Sequence, residues 1–264
     1  MSAWRIGGGS VRGPAHERAG KPNQDAILWQ PGAGQGSRIV GAVADGHGAA
    51  PHFRSNVGSR LAVEAVTELL AWDLDDGEIT DFDHNIIVEI VQAWRMRVDA
   101  HLAAAPFDDP AAPASYTPYG ATLLAVGANE TQMLVLQIGD GDLMLGYPDG
   151  TLARPLDADE GLVGEQTYSL CMADATERFR LACFRAGEGR PLPSFVVLST
   201  DGVSKSFRDD GAFENAIASL RDLAIENWDR TLAALPGWLN DVTSRGSGDD
   251  ATLCLAVWTD TGQT

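Results

Sequence analysis

Apolar residues recur with a helical period in four segments of the chain. In the first segment, Val57, Leu61 and Ala65 fall on one stripe, as expected for a helix that buries a single face. Three further segments have the same spacing, and Pro236 interrupts the last of them, so we expect a kink or a restart there. The predicted helices cover residues 55–71, 84–104, 209–223 and 227–245.

Short apolar runs bounded by turn residues predict β-strands in the rest of the chain. Four of these runs follow one another closely, with Asn129-Glu130 and Asp149-Gly150 as turns, which is typical of an antiparallel meander. Residues 106–118 predict a long loop, and residues 157–175 lack a clear period and predict a surface flap. The predicted strands cover residues 3–12, 24–29, 37–45, 177–185, 194–200 and 252–259, with the meander at 120–128, 132–138, 142–147 and 151–154.

The order of these elements predicts the fold class. Strands come first, followed by two helices, many strands, two further helices and a last strand, and this segregation is typical of an α+β fold. Two helix pairs and enough strands for two sheets favour a sandwich of two sheets with the helices outside.

Composition excludes several classes of function. The 264 residues carry a net charge of -18, and no cluster of Lys or Arg stands out, which argues against a nucleic-acid surface. No apolar run is long enough to cross a membrane, and no N-terminal apolar segment indicates secretion. Cys171, Cys183 and Cys254 are widely spaced and odd in number, which argues against zinc–thiolate sites and disulfides. We therefore expect a cytoplasmic protein in which Cys183 is a reduced core residue.

Acidic turns at the ends of predicted strands carry the candidate chemistry. An Asp-Gly pair after a strand is by itself commonly only a turn. Here similar turns recur far apart in the chain, and carboxylates at rigid strand ends can converge on one place. Divalent cations would offset the repulsion among them, and a set of oxygen donors favours Mg²⁺ or Mn²⁺ over Zn²⁺. The turns are Asn23-Gln24-Asp25, Asp45-Gly46-His47-Gly48, Ile138-Gly139-Asp140-Gly141-Asp142, Ser199-Thr200-Asp201-Gly202 and Gly248-Asp249-Asp250-Ala251-Thr252.

These motifs resemble, in type and in order, those of the metal-dependent protein phosphatases, the protein phosphatase 2C (PPM) family. N-Q-D, D-G-H-G, Y-G-A-T, G-D-G-D, T-D-G and D-D-A-T follow one another between Gly20 and Val257, and the opening from His16 to Asp25 is similar to the short bacterial branch. The resemblance implies one catalytic domain over residues 1–264, built as an αββα sandwich of two antiparallel sheets flanked by pairs of antiparallel helices. It also implies hydrolysis of phosphoserine or phosphothreonine in proteins, opposite a cognate serine/threonine kinase.

The same resemblance assigns metal-binding roles to the acidic turns. Asp45 resembles the carboxylate that bridges two metals, and Asp25 would act directly or through a bound water. Asp250 stands where relatives often have Asn, so the ligand assigned to Asp249 could shift by one residue. The implied ligands of two Mg²⁺ or Mn²⁺ ions are Asp25, Asp45, the carbonyl of Gly46, Asp201 and Asp249.

A catalytic acid is implied beside these ligands. Water between two cations has a lowered pKa and becomes a nucleophile near neutral pH, and the departing seryl or threonyl oxygen needs a proton. His47, close to Asp45, is the natural general acid. The alternative is that His47 is only a hydrogen-bonded residue of the turn.

The phosphate-binding position departs from the family pattern. Many relatives carry an arginine five residues before the aspartate at position 25, and this chain has Gly20 there. His16, Arg18 and Lys21 are the candidate substitutes, although a flexible lysine does not reproduce a bidentate arginine. The alternative is that they are solvated loop charges.

A third metal site found in relatives is also altered. Asp140 is present, but Lys205 stands where a second aspartate often follows T-D-G, and an ammonium group cannot ligate a cation. Lys205 would either pair with Asp140 or point into solvent. Asp142 replaces the arginine of the family's G-D-S-R turn. We therefore expect two bound metals, a doubtful third site, and a weak role for Asp140.

The sequence thus predicts a Mg²⁺- or Mn²⁺-dependent serine/threonine protein phosphatase. Because the arginine is missing, a pseudophosphatase that keeps the fold and binds phosphorylated partners without turnover is the alternative. A phosphoesterase acting on a small molecule is a third possibility. The retention of Asp25, Asp45, Asp201 and Asp249 favours an enzyme, since a decayed enzyme has no reason to keep four like charges together.

Overall fold

A computed structural model describes residues 2–75, 84–107, 115–157, 167–187, 189 and 191–260. The strands are β1 (Ser2–Val11), β2 (Ala26–Gln30), β3 (Gln35–Gly36), β4 (Ile39–Ala44), β5 (Leu123–Ala128), β6 (Gln132–Ile138), β7 (Asp142–Gly146), β8 (Leu152–Ala153), β9 (Arg180–Arg185), β10 (Phe195–Ser199) and β11 (Ala251–Asp260). The helices are α1 (Pro14–Ala19), α2 (Ser55–Asp75), α3 (His84–Ala104), α4 (Asp201–Ser204), α5 (Asp210–Glu226) and α6 (Trp228–Arg245).

The strands form two antiparallel sheets. A six-stranded sheet has the order β3-β1-β11-β10-β7-β8, and a five-stranded sheet has the order β2-β4-β5-β6-β9. β1 and β11 pair along their whole length, from Ser2 opposite Asp260 to Val11 opposite Ala251. Strands from the two ends of the chain therefore lie side by side inside one sheet.

Three apolar cores define four layers. The inner core fills the space between the sheets, α2 and α3 cover the outer face of the five-stranded sheet, and α5 and α6 cover that of the six-stranded sheet. This arrangement confirms the predicted α+β fold and its αββα sandwich. Buried members of the inner core include Ile6, Val43, Leu124, Val135 and Leu198.

The predicted helices are all present, and their ends follow ordinary capping chemistry. The side chain of Asp209 accepts a hydrogen bond from the backbone N–H of Ala212 at 2.8 Å and so begins α5. Asn227 does the same for Arg230 at the start of α6, at 3.1 Å. Of the kink or restart expected at Pro236, the restart does not occur, because α6 runs through this residue from Trp228 to Arg245.

The predicted meander of residues 120–154 is wrong in one respect, because its strands belong to two sheets. β5 and β6 pair in the five-stranded sheet, whereas β7 pairs with β10 in the six-stranded sheet. The chain changes sheet through Gly139-Asp140-Gly141, where Gly139 has a φ of 96°. β6 and most of β7 are buried on both faces, so their apolar pattern does not distinguish the two sheets.

Cys183 is exposed, which corrects its expected place in the core. β9 is the edge strand of its sheet, with Ala182 and Phe184 facing the inner core. Cys183 is on the opposite face, where the edge of the sheet is open to solvent. An alternating apolar pattern marks the two faces of a strand but not the extent of the layer above it.

Three predicted connections are only partly described. Residues 76–83 of the acidic link, 108–114 of the long loop and 158–166 of the flap lie outside the described residues. Within the predicted flap of residues 157–175, Ser169 and Leu170 are buried, so this part of the predicted surface segment belongs to the core. Among the described helices, none combines the length and the apolar character that a membrane span requires.

Candidate active site

One cavity of about 680 Å³ is lined by residues from four of the five acidic turns. Its wall is built from the ends of strands in both sheets: Asp45 follows β4, Asp140 separates β6 from β7, Asp201 follows β10, and Asp249 precedes β11. Residues separated by about 200 positions in sequence therefore share one surface. The structure thus brings four of the five acidic turns to one place, and the turn that ends at Asp25 lies beside them through the hydrogen bond between Gln24 and Gly46.

Backbone contacts hold Asp45 at the end of β4. Its N–H donates to Oγ1 of Thr122 at 3.0 Å, and its carbonyl accepts from the N–H of Thr122 at 2.8 Å. The next residue, Gly46, donates its N–H to the carbonyl of Gln24 at 3.1 Å. A Cβ on Gly46 would lie 2.6 Å from that carbonyl oxygen, so the close approach requires glycine.

Burial and mutual repulsion perturb the carboxyl groups at this point. Burial raises the pKa of Asp45 well above its ordinary value, and Asp25 and Asp201 raise it further. Burial also raises the pKa of Asp25 well above its ordinary value, although hydrogen bonds from Thr200 and Thr252 oppose the shift. Keeping these carboxylates charged and close together therefore costs free energy, and a bound positive ion would offset that cost.

Asp25 gives the clearest structural indication of a cation site. Thr200 Oγ1 donates to its Oδ2 at 2.7 Å and itself accepts from the N–H of Thr252 at 3.0 Å. The other oxygen, Oδ1 of Asp25, is buried and has no hydrogen-bond partner among the described residues. A buried orphan oxygen among repelling carboxylates fits a divalent cation, and the all-oxygen donor set fits Mg²⁺ or Mn²⁺.

The two aspartates of the last acidic turn face different surroundings. Asp249 has a side chain that is 54% exposed, and it lines the cavity. Asp250 is 2% exposed, and its carboxylate accepts hydrogen bonds from the backbone N–H groups of Gly13 at 2.7 Å and Gln24 at 2.6 Å. The oxygens of Asp250 are therefore occupied by the protein, which favours Asp249 as the residue available to a metal.

Lys205 places a positive charge at the cavity. Its Nζ forms an ion pair with Asp201 and lies 3.6 Å from Oδ2 of Asp140. Thr167 Oγ1 donates to the other oxygen of Asp140 at 3.0 Å. Burial raises the pKa of Asp140, as does Asp201, whereas Lys205 opposes this shift. Lys205 therefore makes the predicted contact with Asp140 and a further contact with Asp201.

His47 lines the cavity and is accompanied by a second histidine. The backbone N–H of His47 donates to the carbonyl of Gly120 at 3.1 Å, and its ring meets that of His52 edge-on, with centroids 4.8 Å apart. Burial, together with His52, lowers the pKa of His47 to about 4. His52 also lines the cavity, and the only sequence signal for it is its position five residues after His47.

The three candidate phosphate-binding residues lie at different places. Lys21 Nζ donates to the carbonyl of Gly48, which lines the cavity, at 2.7 Å. His16 places Nδ1 2.7 Å from Oδ2 of Asp250 and Nε2 3.5 Å from Oδ1 of Asp249. Arg18 is exposed on α1. The structure brings His16 and Lys21 next to the cavity from one side and leaves Arg18 at the surface.

Several solved structures share this fold. The catalytic domain of the serine/threonine protein phosphatase PstP, in complex with two manganese ions, is 20% identical, with a TM-score of 0.60 over 98% of this chain and 100% of that one. PppA from Pseudomonas aeruginosa is 20% identical, with a TM-score of 0.63 over 98% and 100%. Stp1 from Staphylococcus aureus is 13% identical, with a TM-score of 0.61 over 98% and 96%.

The sequence comparison identifies the family directly. No curated protein matches the sequence. The sequence model of the family described as Protein phosphatase 2C matches residues 12–240, which include the turns around Asp25, Asp45, Asp140 and Asp201. The match spans most of the chain, and the αββα sandwich with its acidic cavity agrees with it, so this chain belongs to the protein phosphatase 2C family.

Proposed function

We propose that the protein is a Mg²⁺- or Mn²⁺-dependent phosphatase that hydrolyses phosphoserine and phosphothreonine in proteins. The observation that carries this proposal is the buried oxygen of Asp25 beside the mutually repelling carboxyl groups of Asp45 and Asp201. The two manganese ions bound by the PstP catalytic domain, which has this fold, support a metal-dependent activity. A cytoplasmic location and a cognate serine/threonine kinase, both expected from the sequence, belong to this proposal.

The residues that would hold two cations come from four of the five acidic turns. Their donors are oxygens, which suits Mg²⁺ and Mn²⁺. Bound there, the cations would lower the pKa of a water molecule and neutralise charge on the phosphoryl oxygens. The proposed ligands are Asp25, Asp45, the carbonyl of Gly46, Asp201 and Asp249.

His47 is the proposed proton donor to the leaving oxygen. Its ring lines the cavity two residues after Asp45, and its backbone is fixed by Gly120. Although burial lowers the pKa of His47 to about 4, a phosphate dianion in the cavity adds negative charge beside the ring and favours the protonated form. A seryl or threonyl alkoxide is a poor leaving group, so a proton delivered from His47 would assist its departure.

Lys21 is the best placed of the three phosphate-binding candidates. Its ammonium group is held at the carbonyl of Gly48 on the cavity wall, whereas Arg18 is exposed on α1. A single ammonium contact is a point charge and does not grip phosphate in two directions as an arginine does. We therefore propose Lys21 as a secondary phosphate contact.

Lys205 is proposed to replace a third cation. Its Nζ already pairs with Asp140 and Asp201, so it supplies positive charge where an additional ion would otherwise offset the two carboxylates. It would also repel another cation at this point. Two metal ions are therefore proposed, with at most a weak role for Asp140.

A panel of phosphorylated substrates tests the proposed activity. With Mn²⁺ present, we expect phosphate release from phosphoserine and phosphothreonine peptides. Turnover confined to small phosphate esters would instead support a small-molecule phosphoesterase. Binding of the peptides without phosphate release would support the pseudophosphatase alternative, which the converging carboxylates do not favour.

A further inference from the structure

A buried carboxylate, Asp250, connects three segments that lie next to the cavity. Its Oδ1 accepts the backbone N–H of Gly13, and its Oδ2 accepts the backbone N–H of Gln24 and faces Nδ1 of His16 at 2.7 Å. Asp250 is 2% exposed, so these three donors offset the cost of burying its charge.

The contact through Gln24 reaches the proposed metal ligands on one side. Gln24 precedes Asp25, and its carbonyl accepts hydrogen bonds from the N–H of Gly46 and, at 2.6 Å, from Oγ of Ser59. The backbone of Gln24 is thus fixed at both its N–H and its carbonyl. Asp250 in this way helps to hold the segment that carries Asp25 beside the turn that carries Asp45.

The contact through His16 reaches a proposed ligand on the other side. A ring that carries a proton on each nitrogen donates from Nδ1 to Asp250 and turns the N–H of Nε2 toward Asp249, and the contact with Asp250 fixes the ring orientation. His16 is 13% exposed, and its Nε2 lies 3.5 Å from Oδ1 of Asp249. The same oxygen accepts the N–H of Asp250 at 2.9 Å. Oδ1 of Asp249 is therefore faced by two nitrogen atoms on the protein side.

We propose that His16 is a positioning residue, which orients the carboxylate of Asp249 for metal binding and does not itself contact phosphate. This inference rests on the proposed function, in which Asp249 is a metal ligand. Partners behind a metal ligand orient it, and their loss typically weakens metal affinity about 10- to 100-fold. The chain Asp250–His16–Asp249 has this geometry, with a buried carboxylate, a fixed ring and a cavity-lining carboxylate in succession.

Three substitutions of His16 separate positioning from packing. His16→Ala removes both ring nitrogens. In His16→Asn the amide nitrogen stands near the place of Nδ1, and in His16→Gln it reaches toward the place of Nε2. Calorimetric titration of metal-free protein with Mn²⁺ should show about 10- to 100-fold weaker binding for His16→Ala. His16→Gln should recover more of the affinity than His16→Asn, because only Gln reaches Asp249.

Glu17→Ala is the matched control, since Glu17 is the next residue of α1 and its carboxylate pairs with Arg12 at 3.6 Å. It should bind Mn²⁺ as the wild type does. Melting temperatures of the metal-free proteins monitor folding, and His16→Gln should melt close to the wild type. Wild-type Mn²⁺ affinity in His16→Ala would overturn the inference, and so would a better recovery in His16→Asn than in His16→Gln.

The same titrations keep this inference distinct from the proposed function. If the wild type binds Mn²⁺ and the His16 variants bind it equally well, only the positioning role fails. If the wild type binds Mn²⁺ but releases no phosphate from any substrate, the proposed activity fails, and the affinity differences among the variants still test the role of His16. If the wild type binds no Mn²⁺, both fail together.

Discussion

Asp249 and Asp250 are neighbours in one acidic turn, but their surroundings differ. Asp249 is open to the cavity, whereas Asp250 is buried and has its oxygens occupied by backbone N–H groups. A carboxylate that already accepts several hydrogen bonds has little capacity left for a cation, so the choice between the two residues depends on surroundings outside the turn. The sequence therefore left that choice open, and the three-dimensional contacts favour Asp249.

Substitution of His47 tests the proposed general acid. His47→Ala should slow hydrolysis of a phosphothreonine peptide by roughly 100-fold or more, because the alkoxide leaves poorly without a proton. It should slow hydrolysis of an aryl phosphate with an acidic phenol much less, since that leaving group needs little protonation. Steady-state rates on the two substrates measure the difference. Equal losses on both would show that His47 is structural.

The Lys205 contacts predict how many metals bind. Calorimetric titration of the metal-free wild type should give two tight sites and no high-affinity third site, because the ammonium group already occupies the space between Asp140 and Asp201. Asp140→Ala should change activity little compared with Asp201→Ala. Lys205→Asp should add a weaker site, since it replaces the ammonium with a carboxylate.

A high-affinity third site in the wild type that disappears in Asp140→Ala would contradict this assignment of Lys205.

The pairing of Lys205 with Asp201 shows a limit of prediction from the sequence. Lys205 follows Asp201 by four residues, so the short helix α4 brings both side chains to one face. No apolar period marks a four-residue helix, so the sequence predicts the contact of Lys205 with Asp140 and not the one with Asp201.

At the scale of elements, glycine makes the tight turn after β4 possible. A Cβ on Gly46 would lie 2.6 Å from the carbonyl of Gln24 and 2.7 Å from that of Ser55, and neither backbone group can move without shifting its own element. Gly46→Ala should therefore destabilise the fold by about 1–3 kcal/mol, the usual cost of overpacking, and should displace the adjacent Asp45. Thermal unfolding measures the loss.

Gly48 provides the control for this prediction. A Cβ there would come no closer than 3.7 Å to another atom, which is ordinary contact, and Gly48 does not have a positive φ. Gly48→Ala should melt close to the wild type. Similar melting temperatures for Gly46→Ala and the wild type would show that the turn tolerates a side chain and that steric fit does not explain the glycine.

Helices and strands could be predicted because each has a local pattern of apolar residues. The sequence did not predict which strands pair with one another. The period of α3 gave both of its ends, from His84 to Ala104. The apolar runs of β6 and β7 gave two strands but not the change of sheet between them. Cys183 shows the same limit, because whether a strand lies at an open edge depends on partners far away in sequence.

At the scale of the whole molecule, the cavity exists only in the folded chain. Asp249 lines it and Asp25 lies close to Asp201, although the two come from opposite ends of the sequence, and β1 paired with β11 brings those ends together. The order of strands and helix pairs predicted the sandwich, and the repeated acidic turns predicted that one site exists. The contacts that Lys205 and His16 make with the cavity-lining aspartates depend on distances that no local sequence pattern specifies.

Because the proposed metal ligands come together only on folding, metal should stabilise the native state. A ligand that binds the folded state alone contributes about 2.7 kcal/mol at 100 times its Kd, and this raises the melting temperature by several degrees. Mn²⁺ should therefore raise the melting temperature of the wild type and raise that of Asp45→Asn much less. Equal shifts in both proteins would place the stabilising ion somewhere other than this cavity.

Phosphate release from a phosphothreonine peptide, with and without metal, tests most directly whether the acidic cavity is a metal-dependent phosphatase site. The protein should turn over with Mn²⁺ or Mg²⁺ and lose that activity in excess chelator. Asp45→Asn, Asp201→Asn and Asp249→Asn should each remove most of the activity at saturating metal, because each removes a proposed ligand. Full turnover in excess chelator, or in Asp45→Asn, would contradict the assignment of this cavity as the metal centre.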